Sequence, residues 1–107
     1  MGVSKTEFFT KEQNDMAVLF KAMSHPARIA IIQYLLSVDS CICGDIVNEL
    51  PLAQPTVSQH LKELKNANII KGAIEGTAIC YCLNKETFNG IETYFKEISN
   101  QLHTKCC

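Results

Sequence analysis

The chain has 107 residues, 47% of them apolar and 20% charged, with a formal net charge of −1 and six cysteines, which is room for one domain with a real core. No apolar run approaches the ~18 residues of a membrane span, and the start Met1-Gly2-Val3-Ser4-Lys5-Thr6 lacks the apolar stretch of a secretion signal, so a cytoplasmic protein with no membrane partner is expected. The mild overall acidity excludes a generally basic nucleic-acid binder and leaves only a local basic face for such a role.

Residues 1–10 read as a flexible N-terminal arm. Thr10 or Asn14 starts a first helix that runs to about Met23, with Met16, Leu19, Phe20 and Met23 on one face. Ser24-His25-Pro26 breaks it. Pro26 then opens a second helix, capped by Ser24 or His25. That helix carries Ile29, Ile31, Ile32, Leu35 and Leu36 nearly all round, the mark of a central core helix. After a loop at Val38-Asp39-Ser40, a third helix is expected over roughly 43–50, with Ser40 or Cys41 at its entrance and Ile46, Val47 and Leu50 turned inward.

A turn at Pro51-Leu52-Ala53 leads to the segment richest in information. Pro55 suits the first turn of a helix. Val57, Leu61 and Leu64 recur at spacings of four and three and form one buried stripe. Gln54, Thr56, Ser58, Gln59, His60, Lys62 and Lys65 lie mostly off it. Short polar groups near a helix start, followed by lysines, suit entry into the DNA major groove, where the former reach base edges and the latter meet phosphates. Over 54–72, three lysines stand against one glutamate, a local charge of +2. An ordinary amphipathic helix with a solvated face is the alternative. Two short helices joined by three or four residues make a helix-turn-helix.

From Ile69 the period changes to that of strands. Residues 69–74 and 78–83 read as two strands around a turn at Glu75-Gly76-Thr77, with Ile79, Tyr81 and Leu83 on one face and Cys80 and Cys82 on the other. This hairpin directly after the recognition helix is a wing. Asn84 or Thr87 starts a last helix through Phe88, Ile91, Tyr94, Phe95, Ile98 and Leu102. Its aromatic stripe is either core or half of a dimer interface. The small core of such a domain favours a homodimer through the first and last helices. The fold class expected is therefore mainly α with a small β-hairpin, a winged helix-turn-helix, divided as an arm (1–10), a DNA-binding and dimerisation domain (11–103) and a cysteine-containing tail (104–107).

The cysteines fall in three pairs: Cys41 and Cys43, Cys80 and Cys82, Cys106 and Cys107. Without a secretion signal a disulfide framework is not expected, and paired thiols point to soft-metal binding or redox sensing. Cys80 and Cys82 read as small buried hydrophobes, and His25 reads as a capping or packing residue. No phosphate loop, nucleophile elbow or paired acid and base is present, and Cys-x-Cys is not the Cys-x-x-Cys of a thiol oxidoreductase, so no enzyme is expected.

The strings Leu19-Phe20-Lys21-Ala22-Met23-Ser24-His25-Pro26-Ala27-Arg28 and Gln54-Pro55-Thr56-Val57-Ser58-Gln59-His60-Leu61-Lys62-Glu63-Leu64, with the hairpin over 70–83, resemble the ArsR (ArsR/SmtB) family of winged helix-turn-helix repressors. The resemblance spans about residues 15–100. It implies a homodimer on double-stranded operator DNA that needs no cofactor to bind and lets go when an inducer ion or a thiol-reactive signal arrives. Gln54, Thr56, Ser58, Gln59 and His60 are then the reading or positioning residues. Lys62, Lys65 and Lys71 meet phosphates, and Thr77 lies at the wing tip. Arsenite-sensing members resemble this chain in a Cys-x-Cys pair ahead of an acidic residue. Here Cys41-Ile42-Cys43 is followed by Gly44-Asp45, one residue out of the family spacing.

As(III) takes a pyramid of thiolates, and soft sulfur sites select it. Cys41 and Cys43 supply two ligands. Cys106 or Cys107 supplies a third if the tail folds back or crosses to the partner. The Asp-x-His and His-x-x-Glu or His-x-x-His pairs of zinc and cobalt sensors are absent, the last helix offering Glu86, Glu92, Glu97 and His103 alone. As(III) or another thiophilic ion is thus the expected inducer. A cadmium, lead, persulfide or disulfide response, or a winged-helix protein-interaction module without DNA binding, stands as the alternative.

Overall fold

A computed structural model describes residues 8–38, 42–43, 46–75 and 78–105, with the backbone alone at 42, 43, 47, 73–75 and 78. The elements run α1 (Lys11–Met23), α2 (Pro26–Leu36), β1 (Ile42–Cys43), α3 (Ile46–Glu49), α4 (Gln54–Asn66), β2 (Ile70–Glu75), β3 (Ala78–Leu83) and α5 (Lys85–Leu102).

Local chemistry sets most boundaries. Thr10 starts α1 through a capping box: its hydroxyl accepts from Gln13 N at 3.1 Å and the Gln13 side chain accepts from Thr10 N at 2.9 Å. His25 caps α2, its Nδ1 accepting from Ala27 N at 3.0 Å, with Pro26 next in line. Asn84 caps α5 by accepting from Glu86 N.

The end of α4 is built with equal economy. Asn68 sits in the left-handed region at φ 62°, which asparagine tolerates better than most residues. Its N–H donates to the Lys65 carbonyl and that of Ile69 donates to the Leu64 carbonyl, each at 3.0 Å. This is a Schellman ending. The hydrophobic contact that accompanies such an ending comes from Leu64 and Ile69, both fully buried. The chain thus leaves α4 in a set direction and enters β2 at Ile70. The Thr87 hydroxyl donates to the Asn68 carbonyl at 2.6 Å, and Asn84 N donates to the Ile69 carbonyl at 3.0 Å. The start of α5 is therefore tied to the same turn.

Ile31, Ile32 and Leu35 of α2 join Ile46, Val57, Leu61, Leu64, Ile69 and Ile70 in one core, with Leu19, Met23, Leu50, Tyr81, Leu83 and Phe88 packed around it. The second helix is central, as its composition predicts, yet Ile29 and Leu36 remain exposed.

Two expectations are corrected. The third helix begins at Ile46, not near Cys43, because residues 42–43 form a strand. The wing is accordingly a three-stranded antiparallel sheet in the order β1-β3-β2 rather than a hairpin alone. Ile42 lies opposite Tyr81 and Cys43 opposite Cys80. Backbone groups on the outer edge of β3 need partners, and the chain ahead of α3 supplies them.

Candidate nucleic-acid interface

Helix α4 divides into two sides. Val57, His60, Leu61 and Leu64 are buried. Gln54, Thr56, Ser58, Gln59, Lys62, Lys65 and Asn66 are exposed. Gln54, Ser58, Lys62 and Lys65 follow one another at helical spacing, so they share a face. Ala53 makes no side-chain cap to the helix start, which leaves that end open to an outside acceptor. Lys71 is exposed on β2. Lys65 lies over the base of the wing, where a Cβ at Gly72 would stand 3.3 Å from both its Cε and Nζ. Glycine there lets the lysine stem pass close to the strand. Gln59 is partly engaged, its Nε2 donating to Glu63 Oε2 at 3.0 Å.

His60 departs from expectation. It is 8% exposed and faces away from the polar side of α4. Arg28 Nε donates to its Nδ1 at 3.0 Å, and its ring centre is 4.4 Å from that of His25. Burial first, then the neighbouring His25 and Arg28 charges, hold its pKa below the usual histidine value. His60 is a joint between helices and is not available to read bases. Sequence reasoning passed over Arg28, although a lone cation in an otherwise apolar helix was a signal that it had a buried partner.

Most of the thiols expected as ligands fall outside what the structure describes. Thr77, Cys41, Cys106 and Cys107 lie outside the described residues, as do Gly44 and Asp45, and Cys43 is placed by its backbone alone. Among the described residues no three His, Cys, Asp or Glu side chains gather into a site for an ion. Cys80 is fully buried, as the small-hydrophobe reading predicts, but it is disulfide-bonded, against the expectation of free thiols. Cys82 is free and half-buried, and it lines an apolar cleft with Leu35, Leu83 and Phe88. His25 serves as a cap.

No helix among the described residues is long and apolar enough to cross a membrane. A short helix, a turn, a second helix with an exposed polar face and an adjoining β-wing define a winged helix-turn-helix, the class of fold that carries many DNA-binding proteins. The family model for the bacterial regulatory proteins of the arsR family matches residues 25–71. An HTH-type transcriptional regulator of Methanocaldococcus jannaschii is 45% identical over 62 residues, 57% of this chain and 68% of that protein. A cadmium resistance transcriptional regulatory protein of Staphylococcus aureus is 35% identical over 85 residues, 78% of this chain and 69% of that one. A crystal structure of an ArsR family transcriptional regulator superposes with a TM-score of 0.78 over 92% of this chain and all of that one; at 17% identity it speaks for the fold. The chain belongs to the ArsR family. Like these relatives it is a regulator of transcription and not an enzyme.

Proposed function

We propose that two copies of this chain, joined through α1 and α5, hold an inverted-repeat operator and release it when a thiophilic ion binds cysteine thiolates. The observation that carries the DNA part is the face of Gln54, Ser58, Lys62 and Lys65 on α4, exposed beside the wing. In the dimer two such helices enter successive major grooves about 34 Å apart. Gln54, Thr56, Ser58 and Gln59 read or position, Lys62, Lys65 and Lys71 meet phosphates, and Thr77 approaches the backbone at the wing tip. The first step of any release mechanism is local: Cys43 lies three residues ahead of α3, which leads into α4, so a change there has a short path to the reading helix.

The dimer reading is supported by what α5 leaves uncovered. Phe20 of α1 packs against Tyr94 and Phe95 at 6.0 and 5.6 Å between ring centres, yet Phe95 stays 50% exposed and Leu102 63% exposed, with Ile98 and Val18 also open. Exposed apolar side chains grouped along one helix suit a partner surface.

The inducer is arsenite in the first reading, by resemblance and by the chemistry of sulfur donors. Cadmium or lead is the second, since both accept thiolate sets; for cadmium it has the added support of a cadmium resistance regulator of Staphylococcus aureus among the relatives. Cys41 and Cys43 are the ligands proposed, completed by Cys106 or Cys107. Cys41 and Cys43 would hold the ion as thiolates ahead of α3, and the ion would supply soft Lewis acidity that ties these sulfurs to one centre. Couplings of about 1–3 kcal/mol, or 5- to 150-fold in affinity, are typical of such switches.

One experiment tests both halves. Reduced protein is titrated with As(III), Cd(II) and Zn(II), following thiolate absorbance and the fluorescence anisotropy of duplex from its own promoter. Binding that falls steeply with salt, and release at stoichiometric As(III) or Cd(II), is the expected result. Normal release by a Cys41→Ser, Cys43→Ser double variant would reject the sensor site, and a reduced chain indifferent to every duplex would reject the function.

A further inference from the structure

Cys80 sits on the central strand of the sheet, has no solvent exposure and is disulfide-bonded. Cys82, two residues along the same strand and so on the same face, is free. Opposite Cys80 the sheet register sets Cys43 of β1 on one side and Ala73 of β2 on the other, so Cys43 is the one thiol directly across from it. Directly opposed residues of an antiparallel pair have Cα atoms about 4.5 or 5.5 Å apart, depending on the hydrogen-bonding site. Both distances fall inside the roughly 4.4–6.8 Å that a disulfide spans. We propose that Cys43 and Cys80 form a reversible disulfide that links the lead-in of the helix-turn-helix to the wing, making this sheet a redox site that shares Cys43 with the proposed ion site.

The chemistry needs a two-electron oxidant, and a hydroperoxide is the class proposed. Two S–H bonds are lost and one S–S bond forms. With hydrogen peroxide the O–O bond breaks, taking up the two electrons and two protons to leave two molecules of water. A dithiol reverses the step by thiol–disulfide exchange. Its structural effect follows from topology. β3 pairs with β2 along its whole length, Ile70 opposite Leu83 through to Glu75 opposite Ala78. A covalent bond from Cys80 to β1 therefore joins the segment ahead of α3 to β3 and, through its pairing, to β2, the strand that follows α4. A sulfur in that bond is not a thiolate and cannot ligate an ion, so the oxidised chain loses its ion response. That last consequence rests on the function proposed above; the cross-link itself does not.

The full chain is reduced, freed of reductant without air, treated with stoichiometric hydrogen peroxide and then alkylated. Intact mass is expected to show the alkylated thiols fall from six to four, with recovery after dithiothreitol, and fragment sequencing of a non-reduced digest to join Cys43 to Cys80. Cys43→Ser and Cys80→Ser are each expected to abolish that cross-link, and Cys82→Ser to keep it. Serine at buried Cys80 threatens folding, so Cys43→Ser, checked by circular dichroism, carries the test alone if needed. Six thiols still alkylated after peroxide, or a cross-link mapped to any other pair, overturns the proposal. Cadmium absorbance then separates the two ideas. A cross-linked chain that no longer binds Cd(II) while the reduced chain does supports both. A cross-link in a chain that binds no Cd(II) when reduced supports the disulfide and counts against a cadmium-responsive site.

Discussion

Arg28 Nε donates to His60 Nδ1 at 3.0 Å while its Nη1 donates to the Ala22 carbonyl, also at 3.0 Å. One side chain of α2 thus holds the last turn of α1 and the middle of α4 together. Guanidinium geometry makes this possible, since its donors diverge in a fixed plane. Arg28→Met is expected to destabilise the fold by about 2 kcal/mol, because partly buried hydrogen bonds from a charged donor are lost. Arg28→Lys is expected to recover little of it. Urea unfolding measures both, and an unchanged midpoint for Arg28→Met would remove the joint from the account.

The same contact predicts a pH dependence. His60 accepts through Nδ1 and is therefore neutral, with its proton on Nε2. Its pKa in the fold lies below the unfolded value of about 6.5. Protons then bind the unfolded chain more readily than the folded one. The contribution is complete above about pH 6.5 and is lost as pH falls from there toward the lower folded pKa. Stability is expected to decline as pH falls below about 6.5, and His60→Gln to flatten that decline. An equally steep profile in the variant would assign the effect to other groups.

Asn68 at φ 62° makes a sharp backbone prediction. Asn68→Gly is expected to be neutral or slightly stabilising, since glycine enters this region freely. Asn68→Val is expected to cost about 1–2 kcal/mol. Because the turn aims β2, the valine variant is also expected to weaken operator binding. Equal stabilities of the two variants, read from thermal melts, would contradict the Schellman ending.

At the interface, Lys62→Ala and Lys65→Ala are each expected to lower affinity across all duplexes and to reduce the salt slope by about one. Ser58→Ala is expected to act differently, relaxing preference among sequences by about 1 kcal/mol at the base it is proposed to contact. Anisotropy titrations at several salt concentrations distinguish the two patterns. A salt slope unmoved by both lysine variants would place the phosphate contacts elsewhere.

For the partner surface, Ile98→Glu or Leu102→Glu sets a charge into the exposed apolar run of α5. Sedimentation is expected to show a shift from dimer to monomer with the far-ultraviolet spectrum kept, and operator affinity is expected to fall with it. A wild-type chain that sediments as a monomer at micromolar concentration would remove the dimer from the proposal.

Much of the architecture was legible in the order of residues because its signals are local. Thr10, His25 and Asn84 cap their helices through their own side chains. Val57, Leu61 and Leu64 announce the buried stripe of α4, and Ala78–Leu83 forms a strand where alternation asked for one. His60 completes that stripe by spacing, at i+3 from Val57, but was misread because its polar type pointed outward. What lets a histidine be buried there is an arginine 32 positions away. Cys43 was misread for a related reason: Ile42–Cys43 is too short to show a period, and what makes it a strand is the edge of β3.

Capping chemistry, apolar periodicity and the polar face of α4 were thus determined by the sequence alone, since each acts within a few residues along the chain. Tertiary structure alone decided which partner lets His60 be buried, how Arg28 joins three helices, and that Cys43 stands across from Cys80. Those outcomes depend on groups far apart in sequence competing for the same buried donors, acceptors and strand edges, and that competition is resolved only when the elements pack.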